Sequence, residues 1–167
     1  MHQIPEHDGG SFATAPTRVL VSWPVGSFAE NVLVKNHGEI LIALYSDNRI
    51  DRYDPASGEV NPFAYLPAPA VSISEGVDGQ IWAVAGTFYT GPGGVWNIDS
   101  DGKVHPWVDL PDARFLNGCA VHPNGHALLV CDSHLGHVLA IDLRQPHRVE
   151  LAYQFLPHPG EQATAWR

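Results

Sequence analysis

Positive charge is scarce in this chain. Nine Lys and Arg stand against eighteen Asp and Glu, a formal net charge of −9, and no basic run occurs anywhere. A polyanion would be repelled by that field instead of being held through counterion release, which argues against a nucleic-acid partner. Long hydrophobic runs are missing too: nothing approaches the roughly 18 apolar residues of a membrane span. The opening Met1-His2-Gln3-Ile4-Pro5-Glu6-His7-Asp8 has neither the basic flank nor the apolar segment of a secretory signal, which points to the cytoplasm. Cysteine is limited to Cys119 and Cys131. If Asn124-Gly125 is a two-residue turn between them, Cys119 faces Val130 and Cys131 faces Gly118. The sulfurs then lie on opposite faces, and two buried free thiols are expected in preference to a disulfide. No Gly-x-Ser-x-Gly elbow accompanies Ser133, so a serine-hydrolase triad has little support.

What the chain does have is short apolar runs separated by Gly and Pro. Of its 167 residues 44 % are apolar and 16 % charged, with 16 Gly and 14 Pro scattered between the runs, the pattern of a turn-rich all-β protein with one ordinary core. The stretch from Phe115 to Leu143 contains three such runs, Cys119 to Val121, Ala127 to Cys131 and Val138 to Leu143. The first break holds Asn124-Gly125, a hairpin signal because both residues accept the positive φ of a tight primed turn. Earlier copies of this unit precede it. Gly38, Gly79 and Gly125 follow the first strands, and Asp54, Asp99 and Asp142 end the third. Val60 and Val104, which open the fourth strands, lie 44 residues apart, and Val104 and Val149 lie 45 apart. A period near 44 with four short strands per copy is the signature of a β-propeller blade.

The second strands, Glu39 to Tyr45, Gln80 to Ala85 and Ala127 to Cys131, are almost continuously apolar, as expected of strands covered on both faces. The expected organisation is an irregular leader over 1–16, a strand at 18–23, and blades at about 28–66, 70–110 and 115–156. Propellers close with roughly 4–8 blades, so three blades call for more chain or for two copies that complete one ring as a homodimer. In an up-and-down blade the tight turns at Gly38, Gly79 and Gly125 share one end. The longer, more polar loops share the other, with the starts of the innermost strands: Tyr45 to Asn48, Gly86 to Gly94 and Asp132 to Gly136. That second end is the expected functional mouth.

Two residues stand out at the mouth. Glu30 lies eight residues before Gly38, and Asn117 lies eight before Gly125, each in a Phe-x-polar frame (Phe28-Ala29-Glu30, Phe115-Leu116-Asn117). A carboxylate and an amide oxygen at one height suit a hard cation such as Ca²⁺, which takes six to eight oxygen ligands. The plainer account makes Asn117 a turn residue and Glu30 a solvated strand end. His134 sits in a mouth loop, where it is either a surface histidine or a group that positions substrate or serves as acid or base. Asp132 either supports such a site or caps its strand. Phe88 and Tyr89 form a lid over substrate or pack on the rim. His122 and His126 flank a turn at the opposite end and are expected to be solvated, while Trp82, Trp96 and Trp107 fall within strand patterns and are expected in the core.

These residues resemble the gluconolactonase and senescence-marker-protein (regucalcin) family of six-bladed propellers, whose members are mostly Ca²⁺- or Zn²⁺-dependent lactonases and related esterases. The resemblance rests on Phe115-Leu116-Asn117-Gly118, the turn at Asn124-Gly125, Val130-Cys131-Asp132-Ser133 and Val138-Leu139-Ala140-Ile141-Asp142, with support from Glu30-Asn31-Val32, Ala85-Gly86-Thr87 and Gly94-Val95-Trp96. The pairing of Glu30-Asn31 with Phe115-Leu116-Asn117-Gly118 looks most like a fungal branch, some of whose members act as pericyclases. The resemblance implies a divalent cation, Ca²⁺ ahead of Zn²⁺, held by Glu30 and Asn117. It implies a small-molecule lactone or ester as substrate, with His134, Tyr89 and Thr87 shaping the pocket; the family's second-blade polar residue would fall near Val71 to Ser74, where this chain departs from the pattern and offers only Ser72 and Ser74. The family's ligand aspartate belongs to a later blade with no counterpart in this chain. The alternatives are a non-hydrolytic propeller and a binding or assembly module.

Overall fold

The computed structural model describes residues 16–88 and 93–155. It contains three four-stranded antiparallel sheets, each a meander in chain order. Blade 1 comprises β1 (Ala29–Val34), β2 (Ile40–Leu44), β3 (Arg49–Tyr53) and β4 (Val60–Tyr65). Blade 2 comprises β5 (Ala70–Glu75), β6 (Ile81–Ala85), β7 (Gly93–Ile98) and β8 (Val104–Leu110). Blade 3 comprises β9 (Leu116–Val121), β10 (Ala127–Asp132), β11 (His137–Asp142) and β12 (Val149–Gln154). β5 adjoins β1 on one side and β9 on the other, so the first strand of each blade is innermost. This is the partial all-β propeller that the 44-residue period implies. No helix among the described residues is long and apolar enough to cross a membrane.

The turn glycines fix the hairpins. Gly38, Gly79 and Gly125 all have positive φ, at 91°, 81° and 72°. Their N–H groups donate to the carbonyls of Lys35, Gly76 and His122. Asn124 does not share the left-handed conformation, so the turn is not the primed pair expected of Asn124-Gly125. His122 N–H instead closes onto Ala127 across Pro123 to His126. The wider loop preserves the expected pairing of Cys119 with Val130. Both thiols are free, but Cys131 is exposed and Cys119 only half-buried, which corrects the expectation of two buried cysteines.

Two bulges recur in every blade. One lies near the start of the innermost strand: the ladder slips between Ala29 and Asn31 in β1, between Ala70 and Ser72 in β5, and across Asn117-Gly118 in β9. The other lies in the outermost strand, at Phe63, Trp107 and Ala152. A bulge leaves one residue unpaired, bends its strand and increases twist.

Two cores lie between blades. Leu41, Ile50, Ala64, Ile73, Ile81, Ala83 and Trp96 pack between blades 1 and 2. Trp82, Val84, Val95, Val108, Leu128, Val130 and Ile141 pack between blades 2 and 3, with Trp107 edge-on to Trp82 at 5.0 Å. Side chains also join the innermost strands. Asn31 Oδ1 accepts from Ile73 N–H (3.1 Å), Ser72 Oγ from Cys119 N–H (3.1 Å) and Ser74 Oγ from Val121 N–H (3.1 Å). Each bond satisfies an amide that its own sheet does not use.

Arg18 to Trp23, expected as a strand, forms none. All three described sheets draw their four strands from residues further along the chain, so this segment has no ladder to join. Val21 and Trp23 instead cover Ile42, Leu44 and Tyr53 on the outward face of blade 1. The Trp23 indole N–H donates to Asp51 Oδ2 (2.8 Å), and Arg49 pairs with the same buried carboxylate at 2.6 Å.

Candidate functional site

The mouth-end bulges organise the site. Glu30, Val71 and Asn117 each lie eight residues before a turn glycine, and all three fall where an innermost strand slips its register. A bulged residue leaves the in-and-out alternation of its strand, so three blades offer three re-aimed side chains at corresponding positions. Glu30 and Asn117 are half-buried, and Val71 is 1 % exposed. The neighbouring blade therefore supplies no side-chain oxygen at the corresponding position. Asn117 Nδ2 donates to Ser133 Oγ (3.2 Å), which fixes the amide plane.

A cation at this mouth would find the Glu30 carboxylate and the Asn117 amide oxygen. The donors are all oxygen, which suits a hard cation in type, while two protein ligands fall short of the six to eight that Ca²⁺ takes. Among the described residues no group of three or more His, Cys, Asp or Glu is placed to hold a metal on its own.

Asp132 is 1 % exposed, and its carboxylate is fully engaged with the backbone. Oδ2 accepts from Arg114 N–H (2.8 Å), while Oδ1 accepts from Phe115 (3.2 Å), His134 (3.1 Å) and Leu135 (3.1 Å) N–H groups. It therefore ties the entry of blade 3 to the loop after β10, as a cap on the strand would. Ser133 N–H closes the same knot on the Phe115 carbonyl (2.9 Å). His134 is exposed on this loop at the mouth end.

Ser72 does not line a mouth pocket. It is 2 % exposed and bonded to β9, because the bulge at Val71 turns the serine towards the adjacent blade. Thr87 is exposed beyond the end of β6. Tyr89 lies outside the described residues. Phe88 packs on the rim: its ring stacks on Tyr45 at 4.6 Å and meets Phe115 edge-on at 4.3 Å, and its N–H donates to Tyr45 Oη (3.3 Å). Phe28 continues the row against Tyr45 at 5.7 Å. An aromatic path thus crosses the mouth end of all three blades. Its sequence signal was the placement of Phe28 and Phe115, each ten residues before a turn glycine, beside loops that carry Tyr45 and Phe88 at the same end.

At the opposite end His122 and His126 are exposed, as expected of turn histidines, and His122 Nδ1 accepts from Asn124 N–H (3.2 Å). Trp82 and Trp96 are buried, also as expected. Burial pushes the Cys119 thiol up to about 11, partly offset by its hydrogen bond with Ser72.

No family model matches the chain, and no curated protein matches it. Solved structures do resemble it. A catalytically inactive virginiamycin B lyase from Staphylococcus aureus, solved with quinupristin, aligns over 78 % of this chain and 42 % of its own at 18 % identity and TM-score 0.62. A gluconolactonase-family propeller aligns over 75 % and 50 % at 18 % identity and TM-score 0.59. The PQQ-bound aldose sugar dehydrogenase from Streptomyces coelicolor aligns over 69 % and 44 % at 15 % identity and TM-score 0.52. The chain spans half or less of the length of each. At these identities the likeness is one of fold: it supports a β-propeller family, without favouring the fungal branch.

Proposed function

We propose that this chain supplies half of a six-bladed propeller enzyme whose mouth takes a small lactone or ester beside a divalent cation, Ca²⁺ in the first instance. The observation that carries the reading is the repeated bulge, which sets Glu30 and Asn117 at equivalent mouth-end positions in two blades. The other half-ring is a second copy of the chain or further sequence, and it must bring the remaining ligands. When bound, the cation supplies Lewis-acid polarisation of a carbonyl. Glu30 provides the negative charge that retains it, and Asn117, held by Ser133, provides an oriented neutral oxygen. The row from Phe28 to Phe115 offers apolar surface to the hydrocarbon part of a substrate and excludes water from one side of the mouth. His134, on the loop clamped by Asp132, brings an imidazole to the same end for proton transfer.

The test is Glu30→Gln in the assembled ring, with Ca²⁺ binding followed by calorimetry and lactone hydrolysis by proton release. Affinity should fall by about tenfold or more and turnover with it; unchanged binding and turnover would overturn the reading. A specific observation favours a second reading. The aromatic path gives the apolar mouth that a non-hydrolytic, pericyclase-like propeller would need to confine a reactive intermediate. Activity that survives EDTA would select that reading, and loss of activity would select the first.

A further inference from the structure

A second cavity lies away from the innermost strands, in the groove between the outer strand of blade 2 and the outer half of blade 3. Its volume is about 350 Å³, within the range of small-molecule sites. Leu110, Ala113, Leu139 and Val149 give it an apolar floor. The charged groups that line it are of one sign: Asp109 and Asp112 stand exposed at the rim, and Asp132 is buried in the wall. Among the described residues His137 is its one imidazole, and neither Lys nor Arg contributes.

The three carboxylates are not equivalent. Asp132 is consumed by four backbone N–H groups. Asp109 and Asp112 form no ion pair with a Lys or Arg among the described residues. The cavity therefore combines an apolar floor with uncompensated negative charge at its lip, and one wall is a loop already clamped by Asp132. A preformed wall spares a ligand the cost of ordering it.

We infer that this groove binds a small amphiphilic cation, an apolar body carrying a primary ammonium group, with the body on Leu110 and Leu139 and the ammonium between Asp109 and Asp112. Ammonium–carboxylate hydrogen bonds are charge-assisted, and the apolar floor would leave such a group one direction in which to point. An anionic carboxylate ligand of the same shape would meet the rim's repulsion.

The test uses three probes of one shape, 2-phenylethylamine, 2-phenylethanol and phenylacetate, titrated into the ¹⁵N-labelled chain and followed by amide chemical shifts. EDTA is present throughout, so the result does not depend on any cation at the mouth. The amine should bind with a dissociation constant on the order of 1 mM, move the Leu110, Asp112, Ala113 and Leu135 to Leu139 amides, and bind about fivefold more tightly than the alcohol. Phenylacetate should leave these amides unmoved. The paired surface changes Asp109→Asn and Asp112→Asn should bring the amine down to the alcohol's affinity, and Ala113→Trp should block both. Equal affinity for amine and alcohol, shifts confined to other parts of the chain, or amine binding untouched by the paired substitutions would overturn the inference.

Discussion

β6 and β10 hold the same place in adjacent blades, yet they are buried differently. Every residue of β6, from Ile81 to Ala85, is buried. In β10 burial alternates: Leu128, Val130 and Asp132 are covered, Ala127 and Leu129 are half-buried and Cys131 is exposed. Both sequences are nearly all apolar, so composition does not account for the difference. Blade 2 has a blade on either side, whereas among the described residues blade 3 is covered on one face only. Blade 1 shows a third solution, with its outward face covered by Val21 and Trp23. A blade is thus written as a two-faced apolar sheet, and its neighbour decides whether both faces are used.

Paired truncations measure that contrast most directly. Leu128→Ala, on the covered face of β10, should cost about 3 kcal/mol in denaturant unfolding, and Leu129→Ala, one residue on, less than about 1 kcal/mol. If the two costs are equal, the uncovered face is covered in solution, as it would be by a second copy. Trp23→Phe probes the cover on blade 1. It keeps an aromatic body but leaves Asp51 without its indole donor, for an expected loss of roughly 1–2 kcal/mol. A smaller loss would mean that Arg49 alone satisfies the carboxylate.

The thiols report the same contrast with the least perturbation. At pH 8 an aromatic disulfide reagent should label exposed Cys131 quickly and Cys119 slowly, because burial holds the Cys119 proton until about pH 11. The unfolded chain releases that proton at lower pH than the folded chain does. The contribution of Cys119 to stability is therefore intact at neutral pH and is lost as pH rises through the interval ending near 11. Equal labelling rates at pH 8 would mean that the half-buried side of blade 3 is open to reagent.

The repeat, its turns and the sidedness of the blades were legible because a positive-φ glycine leaves a mark at every copy, as at Gly38, Gly79 and Gly125. The register that pairs Cys119 with Val130 followed from spacing even though the turn is of another type. The bulges left no such mark, because Ala29-Glu30 and Ala70-Val71 look like ordinary strand residues until their partners are known. Ser72 was misplaced for that reason: one slipped residue carried it from the mouth to the joint between blades. The alternating Ser72 and Ser74 of β5 were the available clue, since polar groups two apart share a face. The strand expected at 18–23 failed because a strand is a property of a pair, and the sequence names only one member. Asp132 shows the remaining difficulty: like Glu30 it is an acidic residue near a mouth in the sequence, and only its hydrogen-bond partners reveal that its carboxylate is occupied by backbone.

The knot at Asp132 has a mechanical consequence. It fastens Arg114 and Phe115 to His134 and Leu135, so the polar loop after β10 and the lead into β9 move as one piece. Asn117, bonded to Ser133, is carried on that piece. In entropic terms the loop's disorder has already been surrendered on folding, so whatever binds at that amide meets a lever that is already locked.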